Sequence, residues 1–264
     1  MPGRTALIRR PGPRLADGLV THIARAPVDA ALALRQWEDY CRALRDHGWR
    51  TVEVRPADDC PDAVFVEDAM VVFRTAALIA RSGAPSRRPE TAGAEEAAEA
   101  LGLTVHRVRA PGTLDGGDVL KIGDTVYVGR SGRTDADGIR QLRAAFEPLG
   151  ARVVPVPVEK VLHLKSAVTA LPDGTVLGHP PLVGEPSAFF AFPRFLPVPE
   201  EPGAHVVLLG GPHVLLSANA PRTAALLAAR GLHPVPVDIG EFEKLEGCVT
   251  CLSVRVRDLP GTVA

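Results

Sequence analysis

The feature that most restricts the fold of this chain is a pattern that recurs along its length. Each copy reads as an apolar strand, a short polar turn, an amphipathic helix, a glycine and a second strand. The clearest copy has its turn at 129–133, a helix that ends at Gly150 and a strand over 151–158. Its helix carries apolar residues at helical spacing, namely Ile139, Leu142, Ala145 and Phe146. Self-similarity of this kind predicts structural repeats.

Three further copies end their helices at Gly48, Gly102 and Gly231. The segment 175–203 has strand-like ends and room for a degenerate copy, whose helix we expect to be short and interrupted by proline. About five units of about fifty residues result, and they predict an α/β fold whose repeats close around an axis or stack in a line. An ordinary doubly wound sheet also fits this alternation, but its glycine-rich loop after the first strand is missing.

Composition limits the class of protein. The 264 residues are 46% hydrophobic, which is enough for a large core, and we expect one domain over 1–264. Thirty basic and thirty-one acidic residues leave a net charge of -1, which predicts no binding to nucleic acid or to an anionic membrane. No apolar run suits a signal peptide or a spanning helix, so a soluble, cytoplasmic protein is expected. Four sparse cysteines predict thiols rather than a disulfide scaffold.

Polar residues interrupt the strand pattern at a few places. Asp62, Glu67 and Asp68 bracket an apolar strand in PDAVFVEDAMVVF, either as solvated acids at a strand end or as partners for a planar guanidinium. The segment LDGGDVL, 114–120, has acids on both sides of a glycine pair. This is the composition of a tight turn or of a backbone that approaches a ligand closely.

Arginines recur at one position of the repeat. Arg130 and Arg133 directly precede the helix of the third unit, and Arg87 and Arg88 occupy the corresponding place in the second. Two of these arginines can converge on one carboxylate near the axis.

A histidine and a cysteine complete the set of candidates. His163 lies between Leu162 and Leu164 in a segment that resembles an apolar strand, where a histidine is more often a core residue than a catalyst. Cys251 forms a CxxC with Cys248, but a strand follows it, whereas a thioredoxin-type pair begins a helix. Zinc would need further ligands at finger-like spacing, and none are present. A thiol, a histidine and a carboxylate that meet only in the fold remain.

Taken together and in this order, the segments VFVEDAMVV, GAPSRR, TLDGGDVL, GRSGRT, LHLKS and EGCVTCLSV resemble the dimethylarginine dimethylaminohydrolases. This family belongs to the guanidine-modifying superfamily, the penteins, and the resemblance spans nearly the whole chain. It implies a five-bladed α/β-propeller of ββαβ-type repeats around a pseudo-fivefold axis. The five units found independently fit five blades.

The resemblance also implies a role for each matching residue. It makes Cys251 the nucleophile, His163 the general acid and base, and Asp115 the carboxylate that orients the histidine. Asp68 would accept hydrogen bonds from the substrate guanidinium. Further substrate-binding positions implied by the match are Asp62, Glu67, Arg87, Arg133 and Leu245.

Among these positions, the match gives the two arginines to the substrate α-carboxylate, held in place by Asp62 and Glu67. The main chain of Leu245 would help to hold the amino-acid end, and the family's lid loop would fall at 18–22.

The implied reaction converts an N-omega-methylated arginine to citrulline and an amine through a thiouronium on the cysteine, without metal or organic cofactor. The partner is a small-molecule substrate, and the residues leave a homo-oligomer open. Three alternatives remain: a hydrolase or deiminase of another small guanidine such as arginine, a non-catalytic propeller that binds a macromolecule, and a CxxC oxidoreductase that would require Cys248.

Overall fold

The computed structural model describes residues 3–183 and 194–257. Within them, fifteen strands form five three-stranded sheets, here called blades 1 to 5. The strands are β1 (Thr5–Ile8), β2 (Arg50–Glu53), β3 (Met70–Phe73), β4 (Ala76–Ile79), β5 (Thr104–Arg107), β6 (Val119–Ile122), β7 (Thr125–Arg130), β8 (Arg152–Pro157), β9 (Val168–Ala170), β10 (Val176–Gly178), β11 (Phe195–Pro197), β12 (Val206–Gly210), β13 (His213–Ser217), β14 (His233–Val237) and β15 (Val254–Val256).

Every blade has the same internal order. An inner strand runs antiparallel to the middle strand, which runs parallel to the outer one, as in β3-β4-β5 and β6-β7-β8. Parallel neighbours require a crossover, and a helix supplies it in each blade. The helices are α1 (Ala30–Asp46), α2 (Thr91–Ala100), α3 (Ala136–Phe146), α4 (Pro180–Val183) and α5 (Pro221–Ala228), and α6 (Gly240–Glu243) follows blade 5. The predicted five-bladed α/β fold is confirmed.

The predicted helix ends coincide with left-handed backbone. Gly48, Gly102, Gly150 and Gly231 all have positive φ, between +71° and +89°. Glycine adopts this conformation without a Cβ clash, so it ends a helix and lets the next strand return to its sheet. The fourth unit is short as expected, since α4 has only four residues, and the rest of the predicted proline-interrupted helix falls outside the described residues.

Hydrophobic side chains fill the spaces between blades. Buried residues form five clusters in the described part of the chain, one at each junction of neighbouring blades. The last junction closes a ring, because Val207 and Leu215 of blade 5 pack with Ala6 and Trp37 of blade 1. Blade 1 itself joins the two ends of the described chain, since β15 pairs with β1. No helix within 3–183 or 194–257 combines the length and apolar character needed to cross a membrane.

Candidate active site

A buried histidine lies at the centre of the candidate site. Nε2 of His163 lies 3.1 Å from Oδ2 of Asp115, and Nδ1 lies 3.9 Å from Oδ1 of Asp68. His163 is 2% exposed and Asp115 is fully buried. The sequence predicted a strand through His163, and this was wrong: the residue is extended but precedes a 3-10 turn, Leu164–Ser166.

A long-range hydrogen bond accounts for that turn. Oδ1 of Asp118 accepts the N–H of Leu164 at 2.8 Å, and its Oδ2 accepts the hydroxyl of Ser131 at 2.6 Å. Asp118 therefore connects the segment that carries His163 to the turn that carries Arg133. Asp118 was not among the residues predicted from the sequence, although the acids flanking the glycine pair in LDGGDVL were a signal for it.

Asp68 is held from two sides. Its Oδ2 accepts Nη1 of Arg87 at 2.6 Å, and its Oδ1 accepts the N–H of Gly117 at 2.8 Å. A Cβ on Gly117 would lie 2.6 Å from both Asp68 Oδ1 and His163 Nδ1, so the close approach of backbone, acid and imidazole requires glycine here.

The two predicted arginines reach the site by different routes. Arg87 is buried, and besides Asp68 it pairs with both carboxylate oxygens of Glu90, at 3.0 and 2.9 Å. Arg133 lies 3.3 Å from Oδ2 of Asp115, and its side chain is 11% exposed. Arg133 is thus the more exposed of the two arginines.

The expected support of these arginines by the Glu67 side chain was wrong, whereas the carboxylate of Asp62 interacts with both arginines through its charge. Glu67 instead forms two ion pairs through one oxygen, Oε1, which lies 2.6 Å from both Nζ of Lys165 and Nη2 of Arg255. The hydrogen bond from Arg87 to Asp62 is to the main-chain carbonyl, at 3.3 Å. Glu67 thus pairs with cations that come from distant parts of the chain.

The carboxylate of Asp62 is also hydrogen-bonded to the N-terminal loop. Its Oδ1 accepts the N–H of Leu19 at 3.0 Å. The same loop donates to Glu246, which accepts the main-chain N–H groups of Thr21, His22 and Ile23 and the hydroxyl of Thr21. The predicted lid loop is therefore hydrogen-bonded to the segment just before the cysteines.

Leu245 is buried beside this loop, and a Cβ on Gly18 would lie 3.2 Å from its side chain. The N–H of Leu245 already donates to the carbonyl of Phe242 at 2.9 Å. The role predicted for its main chain therefore rests on its carbonyl oxygen.

Cys251 follows a turn that starts at Cys248, and the two sulfurs lie 3.3 Å apart. The carbonyl of Cys251 accepts the N–H of Glu67 at 3.1 Å, which places the cysteine against the residue that precedes Asp68. Both thiols are buried and free.

The site favours a charged imidazole. Burial lowers the pKa of His163, but the negative charges of Asp68, Asp115 and Asp118 outweigh it and raise the pKa to about 9. Burial likewise raises the pKa of Asp68, yet His163 and Arg87 overcome this and hold the pKa below its usual range. At neutral pH, His163 therefore carries a proton.

The pKa values of the two cysteines shift in opposite directions. The contact with Cys248 raises the pKa of Cys251, and burial and the charges of Glu67 and Asp68 raise it further. The same contact lowers the pKa of Cys248 to about 5. Cys251 is therefore a thiol near neutral pH when no cation is bound.

Asp68, Asp115 and His163 also offer three ligand atoms within 4.8 Å of one another, which is compact enough for a metal ion. A metal needs neutral imidazole and free carboxylates. Here His163 holds a proton and Asp68 already pairs with Arg87, so this donor set suits an organic cation better than a metal.

The chain is similar to known proteins over nearly its whole length. The chain is 72% identical to the N(G),N(G)-dimethylarginine dimethylaminohydrolase of Streptomyces coelicolor over 259 residues, which cover 98% of this chain and 99% of that one. No family model matches the chain.

Solved structures agree. A cysteine-to-serine mutant of the dimethylarginine dimethylaminohydrolase of Pseudomonas aeruginosa, in complex with citrulline, superimposes with a TM-score of 0.89 at 35% identity, covering 97% of this chain and all of that one. The N-terminal domain of a cyanobacterial arginine dihydrolase gives 0.87 at 20% identity, with 98% and 100% coverage, which supports the fold.

Proposed function

Because the chain belongs to the dimethylarginine dimethylaminohydrolase family, we propose that it hydrolyses N-omega-methylated arginine to citrulline and methylamine or dimethylamine. The enzyme is a cysteine hydrolase of linear amidines. Its substrate is a small cation, and the acidic surroundings of His163 suit a cation.

One observation carries the assignment: an imidazole held with its proton by buried carboxylates, next to a segment that presents a thiol. A leaving amine has to be protonated, and His163 with a pKa of about 9 holds that proton at neutral pH. We assign Asp115 to orient the ring through Nε2, so that Nδ1, on the side of Asp68, transfers the proton.

In the first step, substrate binding prepares the nucleophile. The guanidinium of the substrate lies against Asp68 and offsets the negative charges that hold Cys251 as a thiol, so the thiol proton passes to solvent and the thiolate forms. The thiolate adds to the guanidinium carbon. His163 then gives its proton to the departing amine, which leaves a thiouronium on the sulfur.

In the second step, neutral His163 takes a proton from water, and the oxygen adds to the same carbon. The carbon–sulfur bond breaks, citrulline forms, and the second proton of the water returns Cys251 to the thiol. His163 is an imidazolium again, as before the cycle.

The amino-acid end of the substrate needs an anion-binding group. We assign the α-carboxylate to Arg133, whose side chain is the more exposed of the two predicted arginines, with Arg87 behind it. Asp62 and the main chain of Leu245 then hold the loop and the amino group. Glu67 remains a candidate substrate-side residue through its main chain, next to Cys251.

We propose that residues 1–264 form one catalytic domain, which the closed ring of blades supports. We also propose a cytoplasmic location, since four free thiols suit a reducing compartment. No metal or organic cofactor enters the scheme. The assignment leaves room for a homo-oligomer.

A substrate panel tests the reaction. Dimethylarginine, monomethylarginine, arginine and agmatine are compared, with ureido product and released amine both measured. We expect turnover of the methylated arginines with equal amounts of citrulline and amine. Preference for unsubstituted arginine would replace the proposal by a deiminase, and turnover of none would favour a binding propeller.

Cys251→Ser tests the nucleophile. The variant should bind dimethylarginine but form no citrulline, because the hydroxyl is a poor nucleophile here. Cys41→Ala is the matched control, since burial raises the pKa of Cys41 to about 12 and leaves it inert. Wild-type rates in Cys251→Ser, or loss of activity in folded Cys41→Ala, would contradict the assignment.

A further inference from the structure

A cavity runs along the axis of the blades, beyond the site already described. It has a volume of about 450 Å³ and is lined mainly by the inner strands of all five blades, β3, β6, β9, β12 and β15. We call it the central channel. Each blade thus contributes its innermost side chains to one shared space.

The channel wall is rich in cations. Lys121, Lys165, Arg255 and Arg257 line it, and the lining acids within the described residues are Glu67 and Asp124. Asp124 already pairs with Arg74 at 2.9 Å, where both side chains are about half exposed. The interior of the channel therefore sets Lys121, Lys165 and Arg255 against Glu67.

Glu67 does not balance this charge. Its Oε1 accepts both Lys165 and Arg255, and its other oxygen, Oε2, is buried without a hydrogen-bond partner. One negative charge is thereby divided between two cations, and within the described residues Nζ of Lys121 donates its hydrogen bond to the carbonyl of Val72. A net excess of positive charge in a confined space favours the entry of an anion.

Lys121 reports this imbalance. Burial, together with the charges of Arg257, Lys165 and Arg255, lowers the pKa of Lys121 to about 7. Near neutral pH a substantial fraction of Lys121 is therefore neutral. A bound anion would raise its pKa, so that Lys121 takes up a proton.

We propose that the central channel binds a small inorganic oxyanion of the phosphate or sulfate class, held by Lys121, Lys165 and Arg255. Ammonium and guanidinium groups form charge-assisted hydrogen bonds with such an ion. The volume admits the ion together with several waters, since each water takes up roughly 30 Å³. The carboxylates around His163 repel an anion, so this site is separate from the candidate active site.

Calorimetric titration with sulfate tests the proposal. Sulfate stays fully ionised near neutral pH, so any proton taken up on binding belongs to the protein. We expect binding with proton uptake, seen as a heat that depends on the ionisation enthalpy of the buffer. Lys121→Met should weaken binding at least about tenfold and abolish the proton uptake.

Lys160→Met is the matched control, because Lys160 is exposed and does not line the channel. It should leave binding within about twofold of the wild type. If Lys121→Met does not fold, Lys121→Gln replaces it and keeps a polar end near the Val72 carbonyl.

Three results would overturn the proposal. The first is no binding up to about 10 mM sulfate, a concentration far above what a built anion site requires. The second is unchanged affinity in the Lys121 variants. The third is competition between sulfate and citrulline, which would place the ion at the active-site arginines.

Discussion

The candidate active site and the central channel are neighbours with opposite charge. Asp68, Asp115 and Asp118 surround His163 on one side, whereas Lys121 and its partner cations line the other. Residues 66–69 form a single 3-10 turn that serves both, since Asp68 pairs with Arg87 and Glu67 with Lys165 and Arg255. Two consecutive carboxylates thus belong to two different electrostatic environments.

The two regions shift the pKa values of their buried basic groups in opposite directions. In the acidic region, carboxylates raise the pKa of His163 to about 9, and in the basic region, cations help to lower the pKa of Lys121 to about 7. Both groups are buried, and burial alone would lower both values. The sign of the neighbouring charges decides which group keeps its proton.

The largest expected effect removes a charge from the acidic region. Asp115→Asn should lower kcat by about 10³-fold, because proton transfer by a positioned residue contributes about 10²–10⁴-fold. Loss of the charge also lowers the pKa of His163, so the alkaline limb of kcat/KM should move to lower pH. Rate profiles against pH measure both effects.

Asp46→Asn, on the exposed end of α1, is the control and should leave rate and profile unchanged. An unshifted alkaline limb in Asp115→Asn would separate Asp115 from the ionisation of His163.

The next prediction breaks the boundary between the regions. Glu67→Gln leaves Lys165 and Arg255 without a counter-charge, and loss of one partner of a buried pair should cost about 3 kcal/mol of unfolding free energy. Urea denaturation measures this. Affinity for sulfate should rise in the same variant, because the channel becomes more positive.

Glu96→Gln is the matched control, since Glu96 pairs with Arg55 on the surface, where such pairs contribute at most about 1 kcal/mol. Equal stability losses in the two variants would remove Glu67 from its boundary role.

A smaller effect concerns the support of His163. Asp118→Ala removes the acceptors for Leu164 and Ser131, and we expect kcat to fall about tenfold with KM little changed. Asp118→Asn should recover most of the rate, because its amide oxygen still accepts the N–H of Leu164. Steady-state kinetics of both variants distinguish positioning from a loss of folded protein, and failure of the rescue would argue against positioning.

The smallest effect on turnover belongs to the second cysteine. Cys248→Ala should reduce kcat less than about threefold, since Cys248 has no covalent role in the scheme. Its contact raises the pKa of Cys251, so its removal should lower that pKa and speed alkylation of Cys251 near neutral pH. Iodoacetamide rates against pH check this, and complete loss of turnover would revive the oxidoreductase reading.

The sequence predicted what repeats locally. Glycines such as Gly150 end their helices as expected, because helix ends depend on neighbouring residues and on the conformation that glycine allows. The turn after His163 was not predictable, since it depends on a bond from Asp118, 46 residues away. The segment LDGGDVL contained the signal, but spacing does not reveal partners.

Charge pairing was predicted least well. Glu67 was expected to support the arginines of its own region, yet its partner Arg255 lies 188 residues further along the chain. The basic channel was also invisible, because Lys121, Lys165 and Arg255 come from different repeats of a nearly neutral chain. Such fields arise only when blades converge on an axis.

Closure of blade 1 by β1 and β15 has a consequence for how the activity appears during synthesis. His163 and its carboxylates leave the ribosome well before Cys251, which lies three residues ahead of β15. In the proposed mechanism, a nascent chain therefore holds an acid and its orienting groups without a nucleophile. Catalytic competence is then expected to arrive together with β15, so chains that never complete the circle should be inert.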